Sequence, residues 1–275
     1  MKLCCRVLGV SRSGLYEYRH RPLSSTALRS IWLTGLITQI HARSRGTYGA
    51  RRVHAELVLG MGLKVNVATV GKLMRIAGLQ GIPKRKGIKN IKQHITTADL
   101  VNRQFTRSKP NQLWVTDITE HPTREGKLYC CAVLDAFSRK IVGWSIDNSQ
   151  NANLVVNALD MAIKNRTPSV DTVIHSDHGT QFTSWTFSQR IKEAGLLPSL
   201  GTVGDAYDNA MMESFWSKMQ TELFNRKRWS TRVELANEMF QYLEIFHNRQ
   251  RRHSKLDYLT PIEYERLHTE SKQTA

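Results

Sequence analysis

The order of apolar and amphipathic segments between residues 111 and 224 is the feature of this sequence that most constrains its fold. Short runs of apolar, aromatic and β-branched residues predict strands, and apolar residues spaced three and four apart predict helices. In chain order the predicted elements are strands at 113–118, 127–134 and 140–146, a helix at 153–164, a strand at 172–175, a helix at 185–194, a strand at 197–200 and a helix at 208–224. Three consecutive strands indicate an antiparallel meander, and the whole order, βββαβαβα, predicts a layered α/β domain.

The region before this domain differs from it in charge. Residues 1–100 contain 18 Lys and Arg but only 3 Asp and Glu. Residues 101–275 contain 22 Lys and Arg and 20 Asp and Glu. The net charge of the 275-residue chain, +17, therefore comes almost wholly from its first 100 residues. Such a surplus indicates a polyanionic partner, either nucleic acid or a membrane surface.

Two helical patterns lie within the basic region. Near its start a glycine-containing turn is followed by Ser11, which can cap a helix. Further on, one helix begins near Arg51 and another spans 67–77, with Gly60 and Gly62 between them. Helices joined at a glycine corner are typical of DNA-reading folds, although a small packing module with solvated arginines has the same pattern. The charge surplus favours contact with DNA.

Basic side chains near both ends of the chain are the candidate phosphate contacts. They are Arg51, Arg52, Lys84, Arg85 and Lys86 in the first 100 residues, and Arg249, Arg251, Arg252 and Lys255 near the C-terminus. The predicted segments are a helix-turn-helix fragment at 1–25, a helical DNA-binding module at 26–92, a basic linker at 93–110, a catalytic core at 111–228 and a helical, basic extension of the core at 229–275.

Several other classes of protein are excluded. The longest apolar run, at 31–40, is far shorter than the roughly 20 residues of a membrane-spanning helix, and we expect it to be a core helix. No secretory signal is visible, and the four cysteines form two adjacent pairs, which suit neither disulfides nor a zinc knuckle. We expect reduced thiols and a cytoplasmic protein. The HxxH pair at His175 and His178 lacks the further ligands of a zinc site.

Three acidic residues in the predicted α/β domain stand out by their context. Asp117 lies inside an apolar strand, where burying a carboxylate costs several kcal/mol unless a cation or hydrogen-bond donors compensate it. Asp177 follows the carboxyl end of another strand, where α/β folds commonly place their sites. Glu213 lies in a helix whose large apolar residues fix its rotation. Any one of these acids, taken alone, is more readily explained as a cap or an ion-pair partner.

Taken together, the three acids suit a divalent metal ion. Carboxylates are hard oxygen ligands, and Mg²⁺ or Mn²⁺ binds them together with waters and substrate phosphate. Two ions about 4 Å apart would catalyse in-line displacement at phosphorus. The acids therefore predict phosphoryl transfer without a covalent enzyme intermediate.

The segments WVTDIT, HSDHGTQFTS and GDAYDNAMMESFW, with 35 residues between Asp177 and Glu213, resemble the DDE transposases and retroviral-type integrases. More narrowly, nearly the whole chain is similar to the OrfB proteins of insertion sequences whose OrfA and OrfB reading frames are fused by frameshifting. The resemblance implies an RNase H-like core with a mixed five-stranded sheet, and a catalytic, metal-binding triad of Asp117, Asp177 and Glu213. It also implies Mg²⁺ or Mn²⁺ as cofactor and a bacterial, nucleoid-associated location.

The resemblance further implies the partners of the chain. They are double-stranded DNA of the element ends and of the target, further copies of the chain on DNA, and an OrfA partner or fusion. The family usually has Lys or Arg seven residues after the glutamate, whereas this chain has Gln220 there and Lys218 two residues earlier, on another helix face. Retroviral-type zinc-binding His and Cys pairs have no counterpart here.

Other residues near the motifs have less specific roles. His178, Gln181 and Asn209 are expected either to orient water or phosphate or to cap loops and helices. Asp135 is expected to fix a turn or pair with Arg139 rather than to bind metal. The tryptophans Trp114, Trp144 and Trp216 alternate with apolar positions and are expected to be core residues rather than base-stacking platforms.

The sequence thus predicts a DNA transposase that cleaves phosphodiester bonds at element ends and joins the freed 3′-OH to a second phosphodiester. Two alternatives remain open at this point. One is a nuclease of RNase H type that cleaves without joining, and the other is a DNA-binding regulator with an inactive core.

Overall fold

A computed structural model describes residues 2–83, 107–200 and 210–273. Its internal contacts divide the chain into two units, Met1–His54 with Lys64–Gly81, and Ala55–Leu63 with Ile82–Ala275. Within the described residues, no helix is both long and apolar enough to cross a membrane. Of the predicted linker, only residues 107–110 are described, and the predicted segment boundaries stay predictions.

The first unit is helical throughout its described secondary structure. Its helices are α1 (Lys2–Val7), α2 (Arg12–His20), α3 (Ser25–Arg43), α4 (Ala50–Ala55) and α5 (Val67–Ile76). The predicted cap is confirmed, since Ser11 Oγ accepts a hydrogen bond of 3.0 Å from the Gly14 amide at the start of α2. Helix α3 packs against α5. The predicted core helix at 31–40 lies within α3 and buries Leu33, Ile37 and Ile40.

The second unit is built on one mixed sheet. Its main elements are β1 (Leu113–Thr123), β2 (Gly126–Asp135), β3 (Ile141–Asp147), α6 (Ala152–Arg166), β4 (Val173–Ser176), α7 (Trp185–Glu193), β5 (Leu197–Leu200), α8 (Ala210–Glu222), α9 (Arg232–Phe240) and α10 (Pro261–Gln273). The strand order is β3-β2-β1-β4-β5. Strands β1, β2 and β3 pair antiparallel, and β4 pairs parallel with β1 and β5. The predicted meander, element order and RNase H-like five-stranded sheet are confirmed.

Helices cover both faces of the sheet. On one face, α6 and α7 pack on a core that includes Trp114, Val133 and Ile174, and on the other, α8 packs on β1 and α9 on β2. Helix α6 approaches β3 so closely that a Cβ on Gly143 would lie 2.2 Å from the carbonyl oxygen of Ala158. Only glycine therefore fits at that point of β3.

The C-terminal residues complete this unit. Helix α9 continues as a π-helical segment, Gln241–Gln250, so the predicted helix at 232–249 is confirmed as one helical region with a change of winding. Helix α10 is anchored by Glu265, which pairs with Arg166 at 2.7 Å. Arg166 also pairs with Asp135 at 2.7 Å. The turn role predicted for Asp135 is confirmed, because its carboxylate accepts hydrogen bonds from the Asn111 and Phe137 amides.

Of the two roles predicted for Asp135, fixing a turn and pairing with Arg139, the structure has the first. The carboxylate pairs with Arg166, which comes from the C-terminal end of α6, and not with its neighbour Arg139. Arg139 instead takes a left-handed backbone conformation (φ 60°), and its amide donates to the Asp135 carbonyl oxygen. The sequence showed the close neighbour but not the helix end that tertiary folding brings to the turn.

Candidate active site

The pairing of β1 with β4 brings the two predicted aspartates together. These strands are parallel, with Val115 opposite His175. Asp117 and Asp177 each lie two residues beyond that pair. Side chains alternate across a strand with a period of two, so Asp117 lies on the same face of β1 as Val115. Asp177 directly follows the end of the neighbouring strand, close enough for its charge to act on Asp117. The core cluster of Trp114 and Ile174 lies on the opposite face.

Asp117 is held by one hydrogen bond to each carboxylate oxygen. Its Oδ1 accepts from the Ile118 amide at 2.8 Å, and its Oδ2 accepts from Trp216 Nε1 at 3.1 Å. The sequence predicted that a carboxylate in this apolar strand needs compensating donors, and these two donors supply part of that compensation.

Asp177 stands where β4 has ended and is exposed. Its Oδ1 accepts a hydrogen bond of 2.9 Å from the amide of Gly179, which closes a tight turn. A Cβ at Gly179 would lie 3.0 Å from the same oxygen. The small residue thus allows the loop to turn close to the carboxylate.

Glu213 is placed by the packing of α8 on β1. Residues Met212, Phe215 and Trp216 of this helix are buried, whereas Glu213 itself is exposed. Trp216 lies three residues after Glu213, so the two side chains share one side of the helix. The hydrogen bond from Trp216 to Asp117 therefore ties that side of α8 to the strand that carries the first aspartate.

The three acids interact electrostatically. The pKa of Asp117 is raised to about 7, chiefly by burial and in addition by the negative charges of Asp177 and Glu213, while the hydrogen bonds from Ile118 and Trp216 act in the opposite direction. Burial also raises the pKa of Glu213. Asp117 on β1 thus lies within electrostatic reach of Asp177, in the loop after β4, and of Glu213 on α8.

The chemistry of these donors fits a divalent cation. They are hard oxygen ligands, and a bound cation would offset both the burial of the Asp117 charge and its repulsion by the other two acids, which together raise its pKa. Within residues 2–83, 107–200 and 210–273, no three His, Cys, Asp or Glu side chains converge closely enough to hold a metal ion as they stand. All three carboxylates can share an ion only if the helix and the strands bring them closer.

The residues predicted to support the acids are found in different settings. His178 is exposed beside Asp177, and Gln181 donates a hydrogen bond of 3.2 Å to the carbonyl oxygen of Gln150. Asn209 lies outside the described residues. Gln220 donates to Asn225 Oδ1 at 2.6 Å, and Lys218 donates to Ser214 Oγ at 2.9 Å.

Trp216 is the site residue whose role the sequence did not reveal. We expected it in the core, and it is 9% exposed, but its indole N–H also donates to Asp117. A buried indole usually has a hydrogen-bond acceptor, which is the one signal that could have pointed to this role. The sequence alone does not say which acceptor it finds.

Four of the predicted phosphate contacts are open to solvent to some extent. Arg51, Arg249 and Lys255 are exposed, and Arg52 is half-buried, with its guanidinium 5.6 Å from the centre of the Tyr48 ring. The predicted contacts Lys84, Arg85 and Lys86 lie outside the described residues.

The structure corrects the prediction for Arg251 and Arg252. Arg251 is 1% exposed and pairs with Glu222 at 2.6 Å, with a second hydrogen bond of 2.7 Å to the same carboxylate. Arg252 is 3% exposed and pairs at 2.6 Å with both Glu56 and Glu263. Both guanidinium groups are committed to internal carboxylates and are not available to a phosphate.

Comparison with known proteins gives consistent matches along the chain. The family described as "Integrase core domain" matches residues 107–206, and a second family of the same description matches residues 194–261. The family described as "HTH-like domain" matches residues 31–87.

The chain is also similar to named proteins over nearly its whole length. It is 36% identical to the transposase for insertion sequence element IS629 of Shigella sonnei, over 96% of this chain and 90% of that protein. It is 33% identical to transposase InsF for insertion sequence IS3A of Escherichia coli (strain K12), over 96% and 93%. A structure of the HTLV-2 integrase catalytic core domain in complex with magnesium matches with a TM-score of 0.43 and 17% identity, over 57% of this chain and 97% of that domain.

Proposed function

The chain belongs to the IS3-family transposases of OrfB type, which join a helix-turn-helix-like region to an integrase catalytic core, and on that premise we propose that Asp117, Asp177 and Glu213 are its catalytic, metal-binding residues. The reaction we propose is cleavage of a phosphodiester bond at the ends of an insertion sequence, followed by joining of the freed 3′-OH to a second phosphodiester. The expectation of a transposase with a DDE-type core, drawn from the three motifs, is confirmed by this membership.

The meeting of three acid-bearing elements at Asp117 is the observation that carries this proposal. Strand β1 pairs with β4, which ends just before Asp177, and α8, which carries Glu213, packs on β1 and donates a hydrogen bond from Trp216 to Asp117. Burial raises the pKa of Asp117, and the charges of Asp177 and Glu213 add to that effect. Acids that served only as separate caps or ion-pair partners would have no reason to gather around Asp117. Clustered like charges at a strand end are instead typical of a functional site.

The three carboxylates would hold Mg²⁺ or Mn²⁺, as two ions. When bound, the ions stabilise the charge on the attacking and leaving oxygens during displacement at phosphorus. Ile118 and Trp216 fix the orientation of the Asp117 carboxylate, and the Gly179 amide fixes that of Asp177. These donors let the protein present the aspartates in one orientation before DNA arrives.

We assign DNA binding to the basic first unit and to the exposed cations near the C-terminus. Arg51, Arg52, Arg249 and Lys255 are the described candidates, and phosphate contacts of this kind position a protein on the duplex without reading its sequence. Lys84, Arg85 and Lys86, outside the described residues, remain candidates by charge alone. A protein with these contacts acts at the bacterial nucleoid.

We further infer that the chain works with other subunits on DNA. Helix α2 buries none of its side chains, and large apolar residues of α1 and its neighbourhood are exposed. These are Leu3, Val7, Leu8 and Tyr18. Exposed apolar surface on a short helical pair supports a partner, and the OrfA product or a second copy of the chain is our proposal for it.

The test of the proposed function is substitution of each acid in the full chain. Asp117→Asn, Asp177→Asn and Glu213→Gln should each lower cleavage of element-end DNA by orders of magnitude while leaving DNA binding largely intact. Asp171→Asn, at an exposed acid before β4, is the matched control and should cleave like the unaltered protein. Unchanged cleavage in any of the three variants would remove that residue from the triad.

Two further assays separate the alternatives. Incubation of pre-cut element ends with a target duplex should give joined products in the presence of Mg²⁺. Cleavage without joining would favour a nuclease of RNase H type. Binding to the ends with neither cleavage nor joining, under any divalent ion, would favour a DNA-binding regulator.

A further inference from the structure

The indole of Trp216 reaches across from α8 to the strand that carries Asp117. We propose that Trp216 is a positioning residue, whose N–H orients the Asp117 carboxylate for metal binding and fixes its placement relative to Glu213. This inference rests on the proposed role of Asp117 as a metal ligand.

The hydrogen bonds of Asp117 determine how its carboxylate can face an ion. Each oxygen accepts one hydrogen bond, from Ile118 at Oδ1 and from Trp216 at Oδ2. An ionised carboxylate has about four lone-pair sites, so each oxygen keeps one for a cation. The Ile118 amide belongs to the same strand and cannot by itself relate Asp117 to α8. The Trp216 indole provides that relation.

The packing of the Trp216 side chain keeps its N–H directed at the Asp117 carboxylate. The side chain is 9% exposed, and its ring lies 4.7 Å from the ring of Phe215, centroid to centroid. A large ring enclosed in this way has few alternative rotamers. If it turned away from Asp117, the buried N–H would lose its hydrogen bond, at a cost in free energy.

The position of Trp216 on α8 explains why the placement of Glu213 depends on it. Trp216 and Glu213 are three residues apart and lie on one side of the helix. A bond that ties this side of α8 to Asp117 therefore also sets how far Glu213 stands from the aspartates. Loss of the hydrogen bond between Trp216 and Asp117 would leave the positions of both Asp117 and Glu213 less well defined.

Direct measurement of Mn²⁺ binding tests this inference without relying on catalysis. The probe is Mn²⁺ alone, titrated into the full chain and followed by electron paramagnetic resonance of the free ion. Trp216→Phe keeps an aromatic ring and removes the N–H donor. Loss of a group that orients a metal ligand typically weakens metal binding 10- to 100-fold, and we expect a loss of about 10-fold here.

Two further proteins make the comparison sharp. Replacement of Trp216 by 3-benzothienylalanine, in which sulfur stands where the indole N–H was, preserves shape and should weaken Mn²⁺ binding as much as Trp216→Phe does. Trp144→Phe is the matched control, because Trp144 Nε1 donates to Glu244 Oε1 at 2.7 Å, away from the three acids. It should bind Mn²⁺ like the unaltered protein.

The steady-state kinetics should follow the same pattern. Both Trp216 variants should lower kcat for cleavage, with KM for DNA unchanged, because the indole touches a proposed metal ligand and not DNA. If Trp216→Phe does not fold, as judged by near-ultraviolet circular dichroism, the Mn²⁺ affinity of the protein with 3-benzothienylalanine at position 216 tests the inference. Unaltered Mn²⁺ affinity in a folded Trp216 variant would overturn the inference.

Asp117→Asn separates this inference from the proposed function. If it abolishes Mn²⁺ binding while the folded Trp216 variants bind normally, the triad stands and the positioning role of Trp216 is wrong. If it binds Mn²⁺ as well as the unaltered protein, then Asp117 is not a ligand, and both proposals fail.

Discussion

A single half-buried carboxyl group, that of Asp117, shows how strongly its surroundings set the chemistry of a residue. Asp117 is an ordinary aspartate in a strand, yet its pKa is raised to about 7 by burial and by two other acids. A group in this state binds a proton near neutral pH when no cation is present. Divalent ions and protons therefore compete for it.

The first prediction concerns the pH dependence of stability without divalent ions. In the folded chain the pKa of Asp117 is raised to about 7, above the roughly 3.9 of an unfolded aspartate. Between these values the folded state holds a proton that the unfolded state has lost, so stability from Asp117 is complete below about pH 4 and is lost as pH rises through 7. Relative to Asp117→Asn, the free energy of unfolding should fall by up to about 4 kcal/mol from pH 4 to pH 8.

Urea denaturation in EDTA at several pH values measures this difference. Asp171→Asn, on an exposed acid, should follow the unaltered protein at every pH. A constant difference between Asp117→Asn and the unaltered protein across this range would show that Asp117 keeps an ordinary pKa.

Single residues also mark what the sequence could and could not predict. The acids at 117, 177 and 213 could be proposed from sequence because each lies in a recognisable motif at a characteristic spacing. The partners of Trp216 and Arg251 were not, because both depend on contacts with residues far along the chain. An arginine in a basic run has the same sequence signature whether it faces a phosphate or a buried carboxylate.

At the scale of elements, the π-helical segment that follows α9 carries the chain back to α8. Just beyond it, Arg251 meets Glu222, the last residue of α8, and Glu222 also accepts a hydrogen bond of 2.8 Å from Tyr242. This contact secures the C-terminal end of the helix whose N-terminal end carries Glu213. The helix is thus held at two points, by Trp216 at its middle and by Arg251 at its C-terminal end.

The second prediction compares two neighbouring arginines. Arg251→Met leaves the Glu222 charge buried without its partner, and breaking a buried pair in this way costs about 3–5 kcal/mol of stability. Arg249→Met, at an exposed position, should change stability by less than about 0.5 kcal/mol. Urea denaturation of both variants measures the contrast.

A double variant checks the cause. Adding Glu222→Gln to Arg251→Met removes the stranded charge and should restore part of the lost stability. Equal, small effects for Arg249→Met and Arg251→Met would instead show that Arg251 is exposed, and it would again be a candidate phosphate contact.

Element types were predicted more closely than their ends. The strand predicted at 113–118 extends to Thr123, because its last residues pair with β2 in the hairpin, and polar residues such as Glu120 gave no sign of it. The helix predicted at 232–249 changes its winding after Phe240. Hydrogen bonding to a partner, rather than hydrophobic periodicity, decides such boundaries.

At the scale of the whole molecule, charge and catalytic chemistry are separated along the chain. The first 100 residues hold nearly all of the +17 surplus, whereas the proposed acids lie in the nearly neutral remainder. Substitutions in the first 100 residues can therefore change the charge that attracts DNA without altering the sequence around the three acids. Composition alone predicted this division, but not which cations reach the duplex.

The third prediction is a strong dependence of DNA affinity on salt. Each phosphate contact contributes about −0.9 to the slope of log affinity against log salt concentration. Arg51→Ala and Arg249→Ala should each bring the slope about 0.9 closer to zero. Lys192→Ala, at an exposed lysine of α7 to which we assign no DNA contact, should leave it unchanged. Fluorescence anisotropy with labelled duplex measures these slopes, and a slope near zero for the unaltered chain would contradict the assignment of the basic unit.

The placement of Glu213 on a helix that follows the whole sheet has a consequence for the timing of activity during synthesis. A ribosome incorporates both aspartates before the glutamate, which comes 36 residues after Asp177. A nascent chain, or one abandoned before α8 docks, therefore lacks the third acid beside the first two. Translation order alone thus delays completion of the proposed triad until most of the catalytic core has been made.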